Sequence, residues 1–194
     1  FVNELYITNQ DVFNNIETVV VDAAGGSIYY TFNTEVYTVN EFKTTNVLYT
    51  DPGCGTCDEI ISPGTYSTKN IDDNTTYCIE AGGTVNITNK VDFKGGTLIV
   101  CGTLDLKKVK ANNNGGDFVI SAGGVLDLEN GNIDKDLTNF INFGTANIEE
   151  QTEIRDMNFE NQGTLTIDGG VNNRTINFYN DGTMTVDGNF TNND

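Results

Sequence analysis

The four cysteines have the most distinctive chemistry in this sequence. Cys54 and Cys57 form the motif CGTC, and Cys78 and Cys101 lie 23 residues apart. A thioredoxin-like redox site requires a βαβ context, and no helix is predictable here. A zinc site of four thiolates is an alternative, although the second pair is not a CxxC motif. Two disulfides are the simpler interpretation, with Cys54–Cys57 tightening a loop and Cys78–Cys101 joining neighbouring repeats, and they imply an oxidising compartment.

The groups that hydrolytic enzymes need are sparse. Carbohydrate enzymes built on repetitive β folds use stacked carboxylates, or a basic residue beside calcium. The sequence has no histidine, which excludes a Ser-His-Asp triad in its usual form. Its carboxylates recur at equivalent, solvent-facing positions of a repeat, which favours a structural role: Asp105, Asp127, Asp168 and Asp187. We therefore predict no enzymatic activity.

Two acidic corners suggest a cation. DGG at Asp168 and DGN at Asp187 resemble the acidic glycine corners of calcium-bound repeats. The full nonapeptide pattern of those repeats is missing, and surface carboxylates are usually only solvated. Ca²⁺ is thus the one candidate ligand ion, and no other cofactor is predicted.

Short polar side chains recur in pairs, two residues apart. We predict that they form rows on one surface: Thr84, Asn86, Thr103, Asp105, Asp127, Thr145, Asn147, Thr164, Thr166, Thr183 and Thr185. Thr-x-Thr arrays of this kind resemble the flat faces of ice-binding solenoids, but Asp105, Val125 and Asp127 interrupt the array. The plainer interpretation is that Thr and Asn form ladders on the outside of stacked strands.

A repeat must position these side chains. GTLTIDGG returns as GTMTVDGN after 19 residues, and earlier versions extend the pattern. The glycines before each short β run lie 19, 22, 20, 19 and 19 residues apart: Gly83, Gly102, Gly124, Gly144, Gly163 and Gly182. A fixed period of this length indicates a repeat architecture. After each glycine, apolar and polar residues alternate, which predicts a strand with one buried face.

One such unit cannot bury its apolar face, whereas units stacked about 4.8 Å apart can. We predict an all-β, right-handed parallel β-solenoid of about six coils over residues 75–194. A third, weaker apolar position occurs in each coil: Val91 or Phe93, then Val109, Ile133, Ile154, Val171 and Phe190. A β-sandwich needs no constant period, and the pattern of leucine-rich repeats is absent.

The region before residue 75 lacks the period. Residues 1–50 contain candidate strands and are predicted to form a β cap over the first coil, and residues 51–74 a cysteine-containing connecting loop. Tyr29, Tyr30 and Tyr37 could instead form an aromatic ligand platform, although aromatic residues in strands usually belong to the core.

The overall composition argues against nucleic acid as a partner and against a membrane-spanning segment. The net charge of −18 and the pI near 4.1 disfavour nucleic acid. No apolar run approaches the roughly 18 residues that a membrane span requires. The chain opens at Phe1 without a basic leader, and no cap sequence precedes Asp194. We expect a processed piece of a polypeptide that continues beyond Asp194.

Two segments carry a family resemblance. YCIEAGGTVNI from Tyr77 and GTLIVCGTLDL from Gly96 resemble surface and secreted proteins of Bacteroidota. In those proteins a Cys-containing strand, a VCG strand one coil later and Gly-Thr-Asn coils form an N-terminal β-helical region. Many are large adhesin-like proteins exported by the type IX system, and some are associated with gliding. The resemblance covers about residues 50–194, implies a surface or secreted location, and transfers no catalytic residue.

We therefore predict a non-catalytic, extracellular structural or adhesive module of a larger bacterial surface protein, which is either a rigid stalk or a surface that presents itself to a cell-surface glycan or protein ligand. A carbohydrate-binding or carbohydrate-degrading β-helix is one alternative, and it predicts exposed aromatic residues along one face. An ice-binding solenoid is the other, and it predicts a flat, uncharged threonine face.

Overall fold

The computed structural model describes residues 49–111, 115–131, 133, 136–174 and 177–192, together with three strands nearer the N-terminus. The chain divides into two compact units, Phe1–Thr50 and Asp51–Asp194. In the first unit, β1 (Glu4–Ile7) pairs in parallel with β2 (Ser27–Phe32), which pairs antiparallel with β3 (Glu35–Thr38). No helix occurs among the described residues.

The second unit is a parallel β-solenoid of about six turns, which confirms the predicted fold. Its described strands form seven stacked levels, which we call rungs 1 to 7. Rung 1 contains β4 (Glu59–Ile60) and β5 (Gly64–Ile71), rung 2 contains β6 (Thr76–Ile79) and β7 (Thr84–Phe93), and rung 3 contains β8 (Thr97–Val100), β9 (Thr103–Leu106) and β10 (Val109–Ala111). Rung 4 contains β11 (Asp117–Ile120) and β12 (Val125–Leu128), and rung 5 contains β13 (Asn139–Asn142), β14 (Thr145–Glu149) and β15 (Thr152–Arg155). Rung 6 contains β16 (Asn158–Asn161), β17 (Thr164–Asp168) and β18 (Val171–Arg174), and rung 7 contains β19 (Asn177–Asn180), β20 (Thr183–Val186) and β21 (Phe190–Asn192).

Three parallel sheets run along the stack. The first sheet holds β4, β6, β8, β11, β13, β16 and β19, one strand from each rung. The second holds β5, β7, β9, β12, β14, β17 and β20, with β10 paired to the end of β7. The third holds β15, β18 and β21. Each rung therefore offers corresponding positions to the rungs above and below it.

The sequence repeat is the register of the second sheet. Thr84 lies opposite Thr103, and the same position continues one rung at a time through Val125, Thr145, Thr164 and Thr183. The predicted inward residues of this sheet are buried from rung 2 to rung 6: Val85, Ile87, Leu104, Leu106, Leu126, Leu128, Ala146, Ile148, Leu165 and Ile167. Because strand side chains alternate between faces, this register leaves the polar partners outside.

A column of phenylalanine rings fills the centre. Successive ring centroids lie between 5.0 and 5.7 Å apart, through Phe93, Phe118, Phe140, Phe159, Phe178 and Phe190. The predicted third apolar positions are likewise buried, except that Phe190 in rung 7 is 47% exposed. These separations suit favourable ring–ring contacts in addition to the burial of apolar area.

Asparagines line one inner corner, which the sequence did not predict. Asn142 and Asn161 are fully buried. The Asn142 side-chain amide donates to Asn161 Oδ1 (2.7 Å) and to the carbonyl of Thr164 (3.0 Å), and the Asn161 amide repeats this pattern one rung later with Asn180 and Thr183. The ladder gives these buried asparagine amides hydrogen-bond partners inside the core.

The start of the solenoid differs from the prediction. The segment 51–74, predicted as a connecting loop, contains β4 and β5, which form rung 1 and pair with β6 and β7. Gly64 lies 19 residues before Gly83 and is followed by a threonine, but it pairs with Val85 and is therefore two positions out of register with the later glycines. The strands of rung 1 were missed because β5 carries a register irregularity between Tyr66 and Thr68 and is mostly exposed, so it lacks a clean alternation of apolar residues.

The four cysteines all form disulfides, but the predicted pairing was wrong. The bonds are Cys54–Cys101 and Cys57–Cys78, with Cα atoms 6.2 and 5.8 Å apart. The predicted Cys78–Cys101 bond is displaced in register, because Cys78 lies opposite Ile99 and Cys101 follows two residues later. Each cysteine of the CGTC motif therefore reaches a different rung.

Candidate functional site

The outer side of the second sheet carries the predicted polar rows, and we call it the ladder face. Its first row is Thr84, Thr103, Val125, Thr145, Thr164 and Thr183, and its second row is Asn86, Asp105, Asp127, Asn147, Thr166 and Thr185. All twelve side chains are at least partly exposed. Neighbouring members of a row are about 4.8 Å apart, and the two rows are about 6.6 Å apart along each strand. The ladder face is thus a regular two-row array over six rungs.

Two carboxylates stack in the second row. Asp105 lies opposite Asp127, and asparagines flank the pair. The Asn86 amide donates to Asp105 Oδ2 (3.3 Å), and the Asn147 amide donates to Asp127 Oδ1 (2.7 Å). Burial raises the pKa of Asp105, and the negative charges of Glu129 and Asp127 raise it further. Rungs 3 and 4 therefore give this part of the face an acidic character.

The two rows of the ladder face carry no charge over rungs 5 to 7. Their six positions there hold hydroxyl and amide groups: Thr145, Asn147, Thr164, Thr166, Thr183 and Thr185. Glu149 and Asp168 follow two residues later on the same side of β14 and β17, so carboxylates border these neutral rows. Inward Leu165 and Ile167 anchor the central strand of this patch in the core. The two rows therefore contain an acidic segment at rungs 3 and 4 and a neutral, hydrogen-bonding segment at rungs 5 to 7, which we call the neutral half of the ladder face.

The candidate calcium ligands lie at the corner that follows the ladder face. Asp168 ends β17 opposite Glu149, and Asp187 follows β20; all three are exposed. Glycines with positive φ come next, Gly169 at 146° and Gly188 at 155°, so the predicted glycine corners are present. Within the described part of the chain, no three Cys, Asp or Glu side chains are placed to hold a metal ion. Calcium binding stays a prediction.

A polar groove of about 290 Å³ lies beside the third sheet. Its lining combines three side-chain amides, one carboxylate and a glycine: Asn130, Gly131, Gln151, Glu153 and Asn172. Glu153 and Asn172 face each other in register on β15 and β18. Glu153 is the one carboxylate among the described residues of the lining, whereas a typical glycosidase uses a pair.

The aromatic platform stays a prediction as well. Tyr30 of β2 lies opposite Tyr37 of β3, and Tyr29 opposite Thr38. The side chains of Tyr29, Tyr30 and Tyr37 lie outside the described residues.

Comparisons with known proteins add no identity. No family model, curated protein or solved structure matches the chain. In the described part of the structure, no helix is long and apolar enough to span a membrane. The two disulfides indicate a non-cytoplasmic protein, because such bonds persist in oxidising compartments.

Proposed function

We propose that this chain is a non-catalytic, extracellular structural and adhesive module of a larger bacterial surface protein, and that it presents its ladder face to a cell-surface glycan or protein ligand. The observation that carries the proposal is the register of the two outward rows over six rungs. The stacked strands hold the row positions fixed, so binding would require little ordering of backbone.

The chemistry of the rows supports a hydroxyl-rich or amide-rich ligand. Thr hydroxyls and Asn amides both donate and accept hydrogen bonds, while the carboxylates only accept when ionised. A periodic array of such groups suits a polymer whose own polar groups repeat. Each contact is modest, but many equivalent contacts along one rigid face can act together.

A glycan-array screen of the purified chain, with and without calcium, tests this proposal. We expect specific binding that the double change Thr164→Val and Thr166→Val reduces at least several-fold, because valine keeps the β-branched shape and removes the hydroxyl. The matched control is Thr191→Val, which changes the exposed third sheet instead. Blank arrays in both conditions, together with no binding to surface proteins of candidate host cells, would reject the adhesive role.

The same glycan-array screen distinguishes the aromatic platform from the ladder face as the binding site. If Tyr29, Tyr30 and Tyr37 form the binding platform, replacing them with alanine abolishes glycan binding while the ladder-face variant still binds. That result would assign recognition to the first unit, and the ladder face would then be structural only.

The neutral half of the ladder face favours ice binding as a second candidate. Three consecutive rungs present Thr-x-Asn or Thr-x-Thr pairs without an outward charge in either row. Ice recrystallisation in the presence of the purified chain tests this possibility. Inhibition that Thr164→Val and Thr166→Val remove would support it, and growth like that in a buffer control would reject it.

A further inference from the structure

A short segment before rung 1 is attached to three successive rungs, and we call it the strap (residues 51–57). Cys57 is bonded to Cys78 on β6 of rung 2, and Cys54 to Cys101 directly after β8 of rung 3. Asp51 reaches rung 4 directly after β11, where its carboxylate accepts hydrogen bonds from Ser121 Oγ (2.6 Å) and the backbone N–H of Ala122 (2.8 Å). The strap thus runs along the stack against the direction in which the rungs are added.

The covalent connections of the strap define how tension travels through the chain. Cys54–Cys101 closes a loop with a sequence separation of 47 residues, and the Cys57–Cys78 loop, with a separation of 21, lies wholly inside it. A pull that arrives from residue 50 reaches Cys54 and crosses the disulfide to Cys101. Residues 55–100, which contain rungs 1 and 2 and strand β8, then bear no load along the backbone.

We propose that the strap is a force-bearing clamp, which keeps rungs 1 and 2 folded under tension as a template for refolding of the later rungs. The inference rests on the proposed adhesive function only for its biological setting, since attachment to a surface would stretch the chain. The mechanical behaviour itself follows from the disulfide connectivity and the strand pairing, and it needs no ligand.

The protected rungs have the features of a template. Strand β7 spans ten residues and pairs with β5 on one side and with β9 and β10 on the other. Phe93 at its end begins the phenylalanine column. In repeat proteins, folding propagates from rung to neighbouring rung. Starting a parallel sheet without a template is slow, because its contacts are distant in sequence. If the strand edge of rung 2 stays folded, the later rungs can pair with it, and the slow start of a new sheet is avoided.

Single-molecule stretching of the full chain, held by its N- and C-termini, tests the clamp. In the oxidised wild type, the extended length should fall short of the fully unfolded chain by 47 residues, about 160 Å. The double variant Cys54→Ser, Cys101→Ser keeps only the inner loop and should hide 21 residues, about 70 Å. Cys57→Ser, Cys78→Ser is the matched control, because it removes one disulfide and should still hide 47 residues.

Repeated stretching and relaxation then tests the template. We expect the wild type and Cys57→Ser, Cys78→Ser to regain their folded length quickly, and Cys54→Ser, Cys101→Ser to recover at least about tenfold more slowly. Equal recovery of the two double variants would overturn the proposal. If Cys54→Ser, Cys101→Ser does not fold, reductant added to stretched Cys57→Ser, Cys78→Ser chains removes Cys54–Cys101 alone, and unchanged recovery after this reduction would again overturn the proposal.

These measurements involve no glycan, so they fail or succeed independently of the array screen. A blank array beside slow recovery without Cys54–Cys101 would leave the clamp supported and the adhesive role rejected. Specific binding beside unchanged recovery would give the opposite result.

Discussion

At the residue scale, the stacked carboxylates of the ladder face lower the stability of the folded protein when they are ionised. Asp105 and Asp127 are one rung apart, and the raised pKa of Asp105 reflects its burial and then the charges of Glu129 and Asp127. A raised pKa in the folded state means that protonated Asp105 favours folding. That stability is fully present below the ordinary pKa of 3.8 and is lost as the pH rises through the folded-state pKa.

Asp105→Asn should therefore stabilise the protein at pH 7. The new amide could accept from Asn86 and donate to Asp127, which would extend the existing ladder. Relief of one exposed like-charge contact is worth about 0.5 kcal/mol, or a rise of about 1–2 °C in the melting temperature. Thermal unfolding at pH 7 measures the gain, which should vanish near pH 3, where Asp105 with its raised pKa is protonated.

Asp187→Asn is the matched control, because it removes the same charge from an exposed corner position. An equal gain from Asp187→Asn would attribute the effect to the net charge of the chain and not to the stack of Asp105 and Asp127.

At the element scale, glycines set how closely the rungs approach at one corner. A Cβ atom on Gly163 would lie 2.2 Å from the carbonyl oxygen of Gly144 and 2.7 Å from the carbonyl carbon of Phe143. Both are backbone atoms of the rung below, so no side-chain rotation can relieve the contact. The repeated glycine is therefore required by stacking at this position and not by a positive φ.

Gly163→Ala should force rungs 5 and 6 apart and cost about 3 kcal/mol or more, the upper range for overpacking. Gly55→Ala is the control, because an added Cβ there meets nothing within 4 Å. Chemical denaturation of both variants measures the difference. Equal midpoints for the two variants would contradict the steric explanation of the repeat.

The repeat made most of the stack predictable from sequence. Glycine spacing and period-two alternation identified the second sheet and its register, because both follow from local geometry that recurs in every rung. The disulfide pairing was not predictable, since the path of the strap past Cys78 and Cys101 depends on where residues 51–57 lie in space. Rung 1 was missed because its exposed strand β5 lacks alternation. The buried corner of Asn142 and Asn161 was missed because asparagine alone does not indicate burial.

At the scale of the whole molecule, negatively charged side chains greatly outnumber positively charged ones. With a net charge of −18, the carboxylates of the folded chain repel one another. The repeat also aligns carboxylates along the same corner, as with Glu149 and Asp168. Charges two or more rungs apart, at about 10 Å, are separated by roughly a Debye length at 0.1 M salt. Salt should therefore raise the melting temperature at pH 7 by screening these longer-range repulsions.

Adding calcium tests whether the carboxylates are only screened by cations or instead form a specific binding site. Asp168, Asp187 and Glu149 recur one per rung and do not converge with other acidic groups of the described chain into a cage. A specific calcium site needs about six to eight oxygen ligands around one ion. We therefore expect Ca²⁺ and Mg²⁺ at equal ionic strength to raise the melting temperature equally, without saturation at low concentration. A saturable rise with Ca²⁺ alone, which the double change Asp168→Asn and Asp187→Asn removes, would instead establish the corner as a calcium site. The ladder face would then gain a fixed positive charge at its edge, and binding to anionic glycans would become calcium-dependent.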